Sequence, residues 1–255
     1  MRPATVHLPP DGIARAAPRI VHADEHIVVV DKPAGMPSVP ARTPLDPPSV
    51  PCVLEAEWGR LEPVHRLDRD TSGLLVLART ADARAQLGRA FETRAVRKAY
   101  LAIVHGTPPS DQGVVHLPLG DDPFLPPRKR IDPTCGRRSE SRWRQIAGHA
   151  STDGPLTLLV LVPITGRSHQ LRAHFAWLGH PIVGDRLYNR RAAGQGIHGR
   201  LALHAAWIDI PHPASGTRIE LQAPLPQEPP WNLFPAEDGR CAELGRIADG
   251  LARDA

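Results

Sequence analysis

The sequence predicts an α+β fold built on a mainly antiparallel sheet. Apolar runs of strand length outnumber helical patterns, several are joined by short polar turns, and the chain lacks a regular strand–helix–strand alternation. Arg19 to His22 and Ile27 to Asp31 flank Ala-Asp-Glu-His and read as a β-hairpin. Lys-Pro-Ala-Gly stops the β-branched run, and residues 38–50, rich in Pro, Ser and Thr, read as a loop. Leu74 to Ala78 is the next strand. Thr80 is placed to cap a helix from Ala81 to about Glu92, with Leu87 and Phe91 four apart on one face. Tyr100 to Val104 reads as a strand closed by His-Gly-Thr-Pro-Pro. Residues 106–155 read as loop-rich, with at least one strand near 114–118. Leu156 to Pro163 is an apolar run of strand length. A helix follows from about Ser168 to Leu178, where Leu171, Phe175 and Leu178 repeat at i, i+4 and i+7 and Gly179 and Pro181 supply the stop. Leu201 to Ile210 and Arg218 to Leu221 are further strands. Residues 1–18 show no period and read as an arm, residues 19–225 as the folded body. Residues 226–255 read as a tail with a Pro-rich start and a short terminal helix in CAELGRIADGLARDA.

Composition narrows the function. With 255 residues the chain can bury a sizeable core. No apolar stretch is long enough to span a membrane, and MRPATVHLPPDG lacks the apolar core of a signal peptide, so a cytoplasmic location without membrane contact is expected. Cys52, Cys135 and Cys241 lie far apart without a CxxC pair, which argues against a disulfide framework or a cysteine zinc site. A net charge of +4 is compatible with a polyanionic partner. Only three of the 31 basic residues are lysine, and arginine's fork suits phosphate. A general bias that also enriches Ala and Pro accounts for the arginines equally well.

Two clusters carry chemistry. In HRLDRDTSG, residues 65–73, alternating charges precede an apolar strand. A carboxylate between arginines has its charged form favoured, with a pKa lowered by about 1 to 3. An ionised Asp is a poor general acid but a serviceable nucleophile. In a half-buried cleft the attraction is about 4 kcal/mol at ~4 Å for an effective dielectric near 20. Thr71, Ser72 and Gly73 can turn the chain, their hydroxyls bonding nearby backbone, so that Asp68 is aimed outward. In ITGRSHQLRAHFAWLGHP, residues 164–181, Arg167 stands at the helix start and Arg172 one turn in, beside the apolar stripe. Spacing alone allows Arg172 to lie on the solvent edge; a partner such as Asp68 is the alternative.

HRLDRDTSG, RKAYLAIVHG (97–106), ITGRSHQLRAH and GHPIVGDRLY (179–188) together resemble the RluA family of RNA pseudouridine synthases. DEHIVVVDKPAGMPS (24–38) and LALHAAWIDIPHPASG (201–216) look like the same family, and the resemblance runs from about residue 19 to 225. Ser168 stands where the family has Thr, which keeps the hydroxyl. An N-terminal S4-type RNA-binding module, which many relatives carry, is not expected. The resemblance implies a mainly antiparallel mixed sheet with flanking helices and loops around an RNA-binding cleft. It implies isomerisation of uridine to pseudouridine in tRNA, large-subunit rRNA or both, without metal or cofactor. Asp68 is then the catalytic carboxylate, attacking sugar or base or removing the C2′ proton. Arg172 is its ion-pair partner, and Tyr100 stacks on the uracil and relays the C5 proton. Arg66 fills the gap left by the flipped nucleotide, which costs a few kcal/mol to unstack. Arg167 joins the RNA contacts, as do Arg128, Lys129 and Arg130 of the basic segment PPRKR. His65 and His169 read as structural, Arg69 and Asp70 as solvated charges, and PPRKR and RRSESRWR otherwise as solvated loops. A monomer is expected.

Rival classes are weaker. Thirteen histidines suggest a metallohydrolase, but HExxH is absent and His169 and His174 are five apart. HRLD superficially resembles a kinase loop, yet neither a Gly-rich loop nor DFG accompanies it. A non-catalytic RNA-binding or chaperone protein would share the fold and basic surface without needing Asp68.

Overall fold

The computed structural model describes residues 17–40, 47–189, 199–234 and 243–253. Most of the expected arm, residues 1–16, lies outside them, as do Cys241 and part of the 38–50 loop. The strands are β1 (Arg19–Ala23), β2 (Ile27–Lys32), β3 (Glu62–Pro63), β4 (Ser72–Ala78), β5 (Arg97–His105), β6 (Gln112–His116), β7 (Leu119–Asp121), β8 (Lys129–Ile131), β9 (Glu140–Ser151), β10 (Gly154–Pro163), β11 (Leu203–Pro211) and β12 (Arg218–Gln222). The helices are α1 (Val50–Trp58), α2 (Ala81–Glu92), α3 (Gln170–Trp177) and α4 (Leu244–Arg253).

Among the described residues ten strands form one sheet in the order β1-β2-β4-β11-β5-β10-β9-β6, with β12 beside β11 and β3 beside β4. Its neighbours run antiparallel except β4 and β11, paired in parallel at His204↔Ser72 and Ala205↔Gly73. That junction is unusually close. A Cβ on Gly73, whose φ is +105°, would stand 2.3 Å from the Ala205 carbonyl oxygen. Only glycine accepts both the left-handed φ and the approach.

The α+β expectation and the first hairpin stand. α2 spans the predicted residues, and the Thr80 hydroxyl accepts from the Ala83 N–H at 3.1 Å. Three readings change. α1 starts at the end of the expected loop; Pro51 opens it, and Val50 and Leu54 face the core. RRSESRWR is not a solvated loop: it enters β9, where Ser141, Arg142 and Trp143 are buried between β10 and β6. Arg142 is tolerated inside because Glu140 and the Leu251 carbonyl satisfy it. Lastly, α3 begins at Gln170, so Arg167 lies in the loop before it, and His169 takes a left-handed φ of 55°.

The largest apolar cluster joins β5, β10 and β11 to Trp143, Phe175, Trp231 and Phe234, and to Leu244, Ala248 and Leu251 of α4. A second packs α2 on β2 and β4, and a third packs α1 with Leu67 on the opposite face of those strands.

Candidate active site

A cleft of about 570 Å³ opens where the loop before β4, the end of α2, β5 and the loop before α3 meet. Asp68 is held there by its neighbours' contacts as well as by its own. Leu67 is buried, and its N–H and carbonyl both bond the Ser38 hydroxyl, at 3.0 and 2.9 Å. The Thr71 N–H closes a turn onto the Asp68 carbonyl at 3.1 Å. The Arg69 carbonyl accepts from the Gly35 N–H and from Lys32 Nζ, both at 2.9 Å. Lys32 is fully buried and also donates to the Pro33 and Met36 carbonyls, so three acceptors surround one ammonium. Burial pushes its pKa down to about 7. Flanked by buried Leu67 and Thr71, the Asp68 side chain keeps 22% exposure in the cleft.

The Ser72 hydroxyl departs from the expected backbone contact. It bonds His204 Nδ1 at 2.8 Å and accepts from Arg200 Nη1 at 2.8 Å, which ties β4 to β11. His65 has the structural place expected of it. Its Nε2 accepts from the Val76 N–H at 3.0 Å, and its ring stacks on Phe91.

Arg172 is not on the solvent edge; it is 4% exposed. Its Nε and Nη2 fork onto Asp185 at 2.7 and 2.9 Å, and Nη1 reaches Asp68 Oδ2 at 3.1 Å. Burial opposes the charge, but Asp185 and then Asp68 outweigh it and hold the guanidinium's pKa above its ordinary value. Asp185 is fully buried and also accepts from the N–H groups of Leu187 and Tyr188 at 3.0 and 3.1 Å. It fixes the fork so that Nη1 of Arg172 is turned to Asp68. The sequence reading missed it. GDRLY held the signal, a buried carboxylate within a motif already noted.

His169 sits with Nε2 3.9 Å from Asp68 Oδ1 and Nδ1 3.2 Å from the Tyr188 hydroxyl. Burial lowers its pKa despite Asp68, which favours the neutral ring. Tyr100 lies on β5, across β11 from the Asp68 loop, two strand spacings or about 10 Å away. Burial, then the Asp68 charge, raises its pKa. Arg66 and Arg167 line the same cleft. Gln170 anchors the loop that carries Arg167: its Oε1 accepts from the Arg167 N–H at 3.1 Å, and its Nε2 donates to Ser141 and the Glu140 carbonyl.

Arg128, Lys129 and Arg130 are outside the cleft wall. They belong to the β7–β8 hairpin and pair with Asp122, Asp121 and Asp132. The Lys129 N–H donates to the Tyr188 hydroxyl at 2.7 Å, so the hairpin is coupled to the site through backbone. Among the described residues no cluster of His, Cys, Asp and Glu is placed to hold a metal ion, and no helix is long and apolar enough to cross a membrane.

One mixed sheet and a cleft lined by Asp68, Arg172 and Tyr100 are what the sequence resemblance implied. The RNA pseudouridylate synthase family matches residues 26–177. The chain is 40% identical over 205 residues to the dual-specificity RNA pseudouridine synthase RluA of Escherichia coli (strain K12), covering 80% of this chain and 92% of that protein. It is 39% identical over 204 residues to the RluA of Haemophilus influenzae, covering 80% and 91%. Human RNA pseudouridylate synthase domain containing 1 superposes with a TM-score of 0.73 at 25% identity, over 99% of this chain and 98% of that one. Human RNA pseudouridylate synthase domain containing 4 gives 0.64 at 28% identity, over 82% and 89%. The chain belongs to the RluA family of RNA pseudouridine synthases and is an isomerase of that class.

Proposed function

We propose that the protein isomerises specific uridines in a tRNA anticodon stem-loop, a large-subunit rRNA hairpin or both, and that the reaction runs at Asp68 without metal or cofactor. The observation that carries this reading is the Asp185–Arg172–Asp68 chain, which leaves one carboxylate paired to a guanidinium and accessible in a cleft. The target nucleotide leaves its stack and enters between Asp68 and Tyr100, with Arg66 taking the vacated position. Asp68 acts on the glycosidic step, either as nucleophile toward sugar or base, or as base toward the C2′ proton. The N1–C1′ bond breaks, the base turns, and C5 bonds to C1′. Arg172 stabilises the Asp68 carboxylate while it is ionised. The Tyr100 ring supplies a stacking face for uracil; its hydroxyl takes the C5 proton as it hands its own to solvent, so it stays a neutral phenol, and N1 takes up a proton from solvent.

Arg167 contacts the RNA from the loop before α3. Arg128, Lys129 and Arg130 contact it from the β7–β8 hairpin, at the cost of breaking their aspartate pairs. Residues 19–225 form the catalytic unit and residues 226–255 a tail. The protein acts as a cytoplasmic monomer. The test is tritium release from 5-tritiated uridine in the two transcripts side by side. Release from either supports the assignment and selects the substrate. No release from both, with binding intact, would mean a different target RNA or a fold kept for RNA binding after catalysis was lost.

A further inference from the structure

Charge in the cleft is not evenly neutralised. Each basic residue of the β7–β8 hairpin has an aspartate. Among the described residues, the cleft-wall cations Lys98, Arg94 and Arg167 have none. Lys98 lies two residues before Tyr100 on β5, which puts both side chains on one face of the strand, and both line the cleft. Its Nζ stands 5.9 Å from the Phe91 ring centroid and, among the described residues, within ion-pair distance of no carboxylate. Arg94 lines the same wall from the turn after α2. It takes a φ of 60°, held by its own N–H bond to the Phe91 carbonyl and by the following Ala95 N–H bond to Ala90. Arg167 faces them, its Nε tied to the Arg138 carbonyl at 3.2 Å. Burial, then the Arg137 and Arg94 charges, lowers the Arg167 pKa, and burial alone lowers that of Lys98. Glu92 is also on this wall but is exposed and ion-pairs with none of them.

We propose that Lys98, Arg94 and Arg167 form a phosphodiester subsite that grips a backbone phosphate flanking the target uridine while Asp68 and Tyr100 hold its base. The inference rests on the pseudouridine synthase reading of the cleft. A uracil carbonyl needs one neutral donor. Three cations gathered on one wall without a carboxylate partner among the described residues instead call for a full negative charge, and a phosphate has the oxygens to meet all three. The subsite also supplies leverage: a nucleotide held at its phosphate on one wall can rotate its base against the other.

The test measures binding of the substrate stem-loop with a neutral methylphosphonate placed, one at a time, at the two phosphates flanking the target. Wild-type protein should lose about tenfold in affinity at one of them. Lys98→Gln and Arg94→Gln should each bind the natural RNA about tenfold more weakly, with the methylphosphonate then costing less than about twofold, and Lys98→Arg should restore the sensitivity. Arg94→Gln removes an exposed head group, so it reports even where Lys98→Gln does not fold. A tenfold cost that persists in both variants, or none at either phosphate in wild type, overturns the subsite. Tritium release by wild type on the same unmodified RNA separates the two readings. Release without phosphate coupling overturns the subsite alone; no release removes the parent reading with it.

Discussion

At the scale of single residues, Asp185 decides what Arg172 can do. A guanidinium bound twice by a buried carboxylate has one direction left, and Asp68 occupies it. Asp185→Asn keeps the shape and removes the charge, leaving a buried cation half-compensated. Breaking such a pair costs about 3 kcal/mol or more. We expect a clear drop in melting temperature and at least about a tenfold loss of kcat; activity within twofold of wild type would show that Asp68 does not depend on this fork. Tyr100 gives a pH prediction. Burial and the Asp68 charge raise its pKa above the ordinary value near 10, so its ionised fraction at any pH is smaller than that of a free phenol. The profile of kcat/KM should therefore show no Tyr100 limb between about pH 7 and pH 10. A descending or ascending limb in that range that disappears in Tyr100→Phe would contradict the neutral-phenol role.

At the scale of elements, the turn before β4 is a clamp built from distant pieces: Ser38 on Leu67, Lys32 and Gly35 on Arg69, and Gly73 against Ala205. Gly73→Ala places a Cβ on a backbone oxygen at a φ that alanine resists. We expect a loss of about 3 kcal/mol or more, read as a melting point lower by roughly 6–12 °C. An unchanged melting point would mean that β4 and β11 can separate at no cost. His204 ties the same junction. It is 1% exposed, and burial, then the Arg200 charge, lowers its pKa to about 3. The unfolded state binds the proton near pH 6.5, so this stability is present above that pH and falls as acid is added, by about 2 kcal/mol at pH 5. Melting from pH 7 to 5 should fall more steeply in wild type than in His204→Asn; parallel slopes would contradict the assignment. Elements with one clean period were legible in the sequence, α2 and β10 among them. β9 was not, because Arg142 and Arg144 interrupt its apolar face, and Arg142 is satisfied only by Glu140 and a carbonyl of the distant α4.

At the scale of the whole molecule, a sheet with a single parallel junction brings residues 68, 100 and 172 to one cleft with Asp185 buried behind Arg172, and α4 packs into the same core as β5 and β10. Asp68 and Arg172 were legible because their motifs are long and ordered. Asp185 and Lys98 stood inside noted motifs, GDRLY and RKAYLAIVHG, but their partners show only once the chain closes and sets Asp185 on Arg172 and Lys98 over Phe91. The pairing of the hairpin cations was readable in DDPFLPPRKRID, where an aspartate stands on each side of the basic run. The central claim is that this assembly exists to present one ionised carboxylate to a flipped uridine. The most direct test is single-turnover tritium release with wild type and Asp68→Asn, alongside RNA affinity for both. We expect Asp68→Asn to bind within a few-fold of wild type and to release no tritium. Comparable release by the variant would remove Asp68 from the reaction and contradict the account.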